Sequence, residues 1–148
     1  MNNNYVKALI GAHILFIRDG NVFLIRRANT GFGDGLYSVP AGHVDDGELI
    51  ADAAAREAKE EAGIMVDRSS LVFAHMVHVR KLTPELTDRM QVFFVCMSWE
   101  GEPQNLEPEK CDHADWFPIS ALPTNMVRYV AQALEGFPSG VYFSHLDE

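Results

Sequence analysis

The sequence has few cysteines and few basic residues. Its two cysteines, Cys96 and Cys111, have no CxxC spacing and no paired histidines in range, which argues against a disulfide framework and a zinc site. Only 12 lysines and arginines stand against 21 aspartates and glutamates, so the net charge is −9. A nucleic-acid polymer requires a basic surface that neutralises many phosphates. We therefore expect no such partner, although local arginines could still bind a small phosphorylated molecule.

Long hydrophobic runs are also missing. Runs such as Val92–Met97 are far too short to cross a membrane, and the first residues, MNNNYVK, lack the apolar core of a leader peptide. We expect no membrane association and a cytoplasmic location. With 148 residues, 47% of them hydrophobic, the chain has the material for one packed domain over 1–148.

Apolar runs and turn residues predict strands on both sides of one strong helix. Strands are expected at 6–17, 22–26, 36–40, 71–79 and 90–99, and helices at about 48–62 and 125–134. Gly63 stands where a left-handed helix cap is wanted. We expect a turn at 40–42 and a polar loop at 104–115. The tail at 137–148 is expected to pack back or to contact another subunit, so monomer and homodimer both stay open.

Three carboxylates stand at helical spacing in the strongest predicted helix. Glu57, Glu60 and Glu61 occupy positions i, i+3 and i+4, so they share one helix face. Like charges at that spacing repel, and a partly buried group of them needs a cation. Hard divalent ions such as Mg²⁺ and Mn²⁺ prefer carboxylate oxygens. An isolated ExxEE is usually a solvated helix face, so the surrounding residues have to decide.

The surrounding residues complete a long motif. Residues 42–64 fit the pattern GX5EX7REUXEEXGU at all nine constrained positions. These positions are Gly42, Glu48, Arg56, Glu57, Ala58, Glu60, Glu61, Gly63 and Ile64. The stretch resembles the Nudix box, and a match over so many positions is far more specific than a short glycine motif.

The resemblance implies a fold and a reaction. The fold is α/β, the Nudix fold, in which a mixed β-sheet is sandwiched between α-helices as an α/β/α sandwich. The reaction is Mg²⁺- or Mn²⁺-dependent hydrolysis of a pyrophosphate bond in a nucleoside diphosphate linked to another group. The expected partner is therefore a small-molecule nucleotide.

The resemblance also assigns roles within the box. Glu60 and Glu61 are similar to metal ligands, and Glu57 to a third acid that binds a second metal or acts as base; which carboxylate is the base stays open. The backbone carbonyl of Ala41 would complete the metal shell. Arg56 would hold a carboxylate in position.

Two further acidic roles follow from the same resemblance. Glu48 would steady the loop and the helix. A fourth metal acid is expected from a later loop, with Glu107 preferred because it follows WEGEP at the matching distance. Glu109 and Asp112 are the alternatives, and His113 is an alternative acid-base group.

Substrate contacts are expected from the arginines that end the second strand. Arg26 and Arg27 are adjacent, so they point to opposite faces, and one can face a site while the other stays in solvent. The resemblance implies an arginine at this place against substrate phosphate, and we prefer Arg27. Phe32 lies in a glycine-rich loop, where it could stack on a base or bury itself. Asn125 stands where MutT-type relatives carry an amide that reads a purine, although Asn is also a good helix N-cap.

The substrate class follows from weaker similarities. WEGEP at 99–103 and Pro-x-Asn at 123–125 are similar to the MutT-type branch, which acts on nucleoside triphosphates, including oxidised ones such as 8-oxo-dGTP. Val79–Leu82 carry neither the proline typical of ADP-ribose cleavage nor the tyrosine typical of diadenosine polyphosphates. A nucleotide-sugar or dinucleotide pyrophosphatase and a non-catalytic nucleotide-sensing module are the alternatives.

Overall fold

The computed structural model describes residues 4–148. Its strands and α-helices are β1 Ala8–Arg18, β2 Asn21–Arg27, β3 Tyr37–Ser38, β4 Ala41–His43, α1 Ile50–Ala62, β5 Leu71–Arg80, β6 Asp88–Cys96, β7 Cys111–Pro118, α2 Arg128–Gly136 and β8 Phe143–Asp147. No helix within 4–148 is long and apolar enough to span a membrane.

The sheet is mixed, as expected. Its strand order is β3-β2-β1-β6-β5-β8, with β4 also pairing with β1 and β7 with β2. The β1–β6 and β5–β8 pairs are parallel, whereas the β1–β4, β2–β7 and β5–β6 pairs are antiparallel.

Helices cover both faces of this sheet. Alternate residues of β1 point to opposite sides because side chains alternate along a strand. Phe16 packs in one cluster with Ala58 of α1, and Leu15 packs in another with Leu134 of α2. The expected α/β/α sandwich is therefore confirmed.

Helix α1 ends where the sequence predicts and begins two residues later, at Ile50 rather than Glu48. Gly63 has a φ of 73°, and its N–H donates to the carbonyl oxygen of Lys59 at 3.1 Å. The left-handed cap is thus confirmed, and it directs the chain from the helix into the loop before β5.

Substitution of Gly63 is expected to destabilise the domain through the backbone. Gly63→Ala should lower the free energy of unfolding by about 1–2 kcal/mol because a Cβ is disfavoured at positive φ. Gly63→Asn should cost less, since Asn tolerates this conformation. Urea denaturation of both variants tests this. Equal losses would instead implicate Leu106, whose Cδ1 lies 3.1 Å from the added Cβ in either variant.

Two predicted irregular segments are strands. The expected turn at 40–42 is wrong, because Ala41–His43 pair with β1 as β4. The expected polar loop at 104–115 is also wrong beyond residue 110, where β7 pairs with β2. Asp112 and Asp115 of β7 are exposed, whereas Ala114 and Trp116 pack against one core cluster and Phe117 against the other. The acids therefore made a strand resemble a polar loop.

The predicted ends of two other elements also shift. Strand β6 ends at Cys96 rather than at Trp99, and helix α2 begins at Arg128 rather than at Asn125. The tail packs back onto the domain, since β8 lies parallel to β5 with Phe143 opposite Met76.

Candidate functional site

A cavity of about 550 Å³ lies between the ends of several strands and the C-terminal turn of α1. Its lining includes two carboxylates, Glu61 and Glu107, and three basic side chains, Arg27, Arg89 and Lys110. Acidic and basic groups thus share one space. The basic side chains can bind the anionic oxygens of a ligand directly, and the carboxylates can bind them through a bridging metal ion.

Glu61 projects from the last turn of α1 into this cavity. Its Oε2 accepts a hydrogen bond from the backbone N–H of Ala41 at 2.9 Å. The pKa of Glu61 is raised to about 8, mainly by burial. The Ala41 hydrogen bond and Arg27 lower this pKa, and the charges of Glu57 and Glu107 raise it. The carboxylate form of Glu61 is therefore poorly stabilised by the protein alone.

Glu57 lies under strand β4. Its side chain is buried, and burial raises the pKa of Glu57 while the hydrogen bond from Arg56 lowers it. A Cβ built on Gly42 would overlap the Glu57 carboxylate. Glycine at 42 therefore lets the strand backbone pass directly over this acid.

Arg56 ties the helix to β4 and to the preceding loop. Its Nε donates to Glu48 Oε2 at 2.9 Å, its Nη1 to Glu57 Oε1 at 2.7 Å and its Nη2 to the carbonyl oxygen of His43 at 3.0 Å. The Arg56 hydrogen bond holds the pKa of Glu48 down at about 2. Glu60 lies at the edge of this network, with Oε2 3.4 Å from Arg56 Nη1 and the side chain half exposed.

Removing the Arg56 guanidinium should be costly. In Arg56→Met the carboxylate of Glu57 loses its partner, and we expect the free energy of unfolding to fall by about 1–3 kcal/mol. Urea denaturation at pH 7 measures this. Arg68→Met is the matched control, because its pair with Asp52 is exposed and should be worth less than about 1 kcal/mol. Equal losses in the two variants would contradict the prediction.

The two arginines at the end of β2 point in different directions, as expected. Arg27 lines the cavity, where its Nε donates to the carbonyl oxygen of Phe32 at 2.7 Å and its Nη2 to Thr30 Oγ1 at 3.2 Å. Its guanidinium lies 5.4 Å from the ring centre of Phe32, which also lines the cavity. Arg26 instead pairs with Asp112 at 2.7 Å and does not line the cavity, so the geometry does not support it as a substrate ligand.

Of the three acids considered for the fourth metal ligand, only Glu107 lines the cavity. Glu107 lines the cavity, and its backbone N–H is held by Asn105 Oδ1 at 3.1 Å. Asp112 is paired with Arg26, and Glu109 lies outside the cavity lining. His113 forms a 2.7 Å hydrogen bond through Nδ1 with the hydroxyl of Tyr37, also away from the lining.

Asn125 does not lie where the sequence predicted. It precedes α2 by three residues and makes no cap; its Nδ2 donates to the carbonyl oxygen of Gly35 at 3.0 Å. The residue fastens the loop before β3 and is not among the cavity residues. Its expected role in reading a base therefore lacks geometric support.

Several cavity residues escaped the sequence reasoning. The cavity is also lined by Arg89 and Gln91 of β6, Tyr129 of α2, Lys110 and His13. Polar residues at alternate positions of an otherwise apolar strand were an available signal for Arg89 and Gln91. Tyr129 carried no such signal, because its position follows from the packing of α2.

No group of three or more His, Cys, Asp or Glu side chains within the described part of the chain is arranged closely enough to hold a metal ion. The donor chemistry nevertheless fits a hard divalent cation. Burial and the charges of Glu57 and Glu107 raise the pKa of the partly buried Glu61. A cation placed among the oxygens of these three carboxylates would stabilise their charged forms. Glu60 lies on the same helix face and is half exposed, with Oε2 3.4 Å from Arg56 Nη1.

The α/β/α sandwich, with the acidic helix α1 packed so that Glu57 lies beneath Gly42 of β4, defines a domain of the Nudix type. Residues 8–137 match the family model described as NUDIX domain. The chain belongs to the Nudix family.

Individual relatives agree with this assignment. The chain is 29% identical to 8-oxo-dGTP diphosphatase of Escherichia coli over 78% of this chain and 84% of that protein. It is 30% identical to Nudix hydrolase 6 of Arabidopsis thaliana over 74% of this chain but only 38% of that protein. Other relatives are named for ADP-ribose and for NAD-capped RNA. Three of these relatives are longer proteins, of which the chain spans only 38% to 42%.

A solved structure has the same fold. The crystal structure of a MutT NUDIX hydrolase from Burkholderia pseudomallei superposes with a TM-score of 0.78 at 26% identity, covering 87% of this chain and 97% of that one.

Proposed function

We propose that this protein is a Nudix-type pyrophosphohydrolase that uses Mg²⁺ or Mn²⁺ to cleave a nucleoside triphosphate, oxidised forms such as 8-oxo-dGTP included, to the monophosphate and pyrophosphate. The observation that carries the proposal is the convergence of Glu61, Glu107 and Arg27 on one cavity, beside a complete Nudix box. Carboxylates for a cation and an arginine for a phosphate are the groups that this chemistry needs.

The carboxylates would form the metal-binding part of the site. Glu57, Glu60, Glu61 and Glu107, with the backbone carbonyl of Ala41, would hold the ion. When bound, it neutralises charge on the pyrophosphate and lowers the pKa of the attacking water. Arg56 supports this part by fixing Glu57 through its 2.7 Å contact.

Arg27 would hold the phosphate chain. Its contacts with Phe32 and Thr30 use Nε and Nη2 and fix the plane of the guanidinium. The remaining N–H groups are suited to phosphate oxygens, and the charge on the guanidinium stabilises negative charge that accumulates there. Lys110 lines the same cavity and adds another positively charged side chain.

The triphosphate is preferred over other pyrophosphates for two reasons. WEGEP resembles the MutT-type branch, and Glu107, the acid that follows it, lines the cavity. The Escherichia coli relative covers most of both chains, so the likeness is not confined to the box.

A panel of nucleotides with Mg²⁺ or Mn²⁺ tests the proposal. It should include the common nucleoside triphosphates, 8-oxo-dGTP, nucleotide sugars, ADP-ribose and a dinucleotide, with products identified by chromatography. We expect monophosphate and pyrophosphate from at least one triphosphate. Cleavage of nucleotide sugars or dinucleotides alone would transfer the assignment to that class. Binding without hydrolysis of any compound would make the protein a nucleotide-sensing module.

A further inference from the structure

A buried polar pair lies in the cavity and has no part in the proposed hydrolysis. His13 Nε2 lies 2.7 Å from Gln91 Oε1. Because a carboxamide oxygen only accepts, Nε2 carries the proton and the other ring nitrogen, Nδ1, is an acceptor. A Cβ on Gly11 would overlap Gln91 Oε1, so the bare backbone at Gly11 leaves room for the pair.

The imidazole of His13 is held in one orientation. It stacks on Phe93 with 4.3 Å between ring centres, and it meets the edge of Tyr129 at 5.6 Å. The residue is 3% exposed, and burial lowers the pKa of His13 to about 4, in keeping with a neutral ring. Its Nδ1 has no hydrogen-bond partner among residues 4–148. A buried acceptor without a donor is unfavourable, so this atom calls for a ligand.

Arg89 adds donors to the same corner. It lies two residues before Gln91 on β6, so both side chains project from the same face of the sheet. Its Nε is buried and also has no hydrogen-bond partner within the described chain. Its guanidinium lies 5.7 Å from the ring centre of Phe32. The corner formed by His13, Gln91 and Arg89 thus offers one acceptor and several N–H donors.

We propose that His13, Gln91 and Arg89 bind the hydrogen-bonding edge of the nucleobase and favour a base with an N–H beside a carbonyl oxygen, as in guanine and uracil. His13 Nδ1 accepts from the base N–H, and donors of Arg89 and Gln91 take the carbonyl oxygen. Adenine has no carbonyl, and the carbonyl of cytosine adjoins a ring acceptor, so neither base satisfies the corner. The inference rests on the proposed function only in that a nucleotide occupies the cavity.

Binding of nucleoside monophosphates to the metal-free protein tests this without hydrolysis. By calorimetry, GMP and UMP should bind at least about fivefold more tightly than AMP and CMP. His13→Phe keeps a ring for stacking but removes the acceptor, and it should reduce the preference to within about twofold. Gln91→Met removes the amide at similar length and should act in the same direction. It also provides a second variant should His13→Phe not fold, as judged by thermal unfolding.

Gln132→Met is the matched control. Gln132 lies on α2, where its Oε1 accepts from Ser144 and the residue is outside the cavity lining, so the preference should persist. Equal binding of all four monophosphates, or a preference that survives in both cavity variants, would overturn the inference.

The two proposals fail separately. If the protein shows a His13-dependent preference for GMP and UMP but hydrolyses no nucleotide, the inference on base recognition is supported and the proposed hydrolase activity is refuted. Hydrolysis of all triphosphates with no preference among bases supports the activity and removes the base reading.

Discussion

Glu61→Gln should abolish most Mg²⁺-dependent hydrolysis while making the metal-free protein more stable. Loss of a metal carboxylate removes several kcal/mol of transition-state stabilisation, so we expect kcat to fall by at least about 100-fold. Gln keeps the shape of the side chain and can still accept from the Ala41 N–H. The variant therefore tests the charge rather than the fold, and full activity with Mg²⁺ would show that Glu61 is not a ligand.

The gain in stability has a defined pH dependence. The folded-state pKa of Glu61 is about 8, against an ordinary value of 4.5, so the folded protein binds this proton more tightly than the unfolded chain does. Wild-type stability should therefore fall as pH rises from about 4.5 to 8, and the variant should lack this component. We expect the variant to melt about 2–4 °C higher at pH 8–9, equivalent to roughly 1 kcal/mol, and almost equally at pH 5.

Magnesium should reverse the order. A ligand that binds only the folded state raises its stability, by about 2.7 kcal/mol at a hundred times Kd, so Mg²⁺ should raise the melting temperature of the wild type and much less that of Glu61→Gln. Glu60→Gln should lose the response to Mg²⁺ without a gain in metal-free stability, because Glu60 is half exposed. Glu109→Gln, outside the cavity, should behave as the wild type.

Gly42→Ala should reduce both stability and activity. The added Cβ would overlap the Glu57 carboxylate, which Arg56 holds at 2.7 Å and which has little space to move. We expect the free energy of unfolding to fall by about 1–3 kcal/mol, as for other overpacked sites. Displacement of Glu57 should also lower kcat/KM by at least about tenfold, since misplacing a catalytic group by 1 Å is costly.

A double-mutant cycle isolates the overlap. Glu57→Asp shortens the side chain and vacates the position that the Cβ requires. The stability of the Gly42→Ala, Glu57→Asp protein should therefore exceed the additive expectation by about 1 kcal/mol. Additive losses would mean that Gly42 acts through the backbone of β4 and not through Glu57.

The box was predictable because its signals are local. Helical spacing placed Glu57, Glu60 and Glu61 on one face, and Gly63 marked the end of the helix; both features are present. The pattern also fixed Gly42, but the reason for a glycine there, the carboxylate of a residue fifteen positions later, appears only in the packing.

The remaining parts were hidden because they depend on distant partners. Strands β4 and β7 are strands because β1 and β2 offer them backbone hydrogen bonds, which no local composition reveals. Asn125 has the residue type of a cap, yet α2 begins three residues later and the amide joins Gly35 instead. The base-facing part of the cavity was missed for the same reason, since its residues come from β1 and β6.

The cavity requires the parallel pairing of β1 with β6 during folding. His13 and Gln91 meet across 78 residues of sequence, and closing so long a loop must precede their contact. A chain interrupted between β5 and β6 would still contain every acid of the box helix, but it would lack Gln91, Arg89 and Glu107. We expect the acidic helix to form early and substrate binding to appear only after these distant strands have paired.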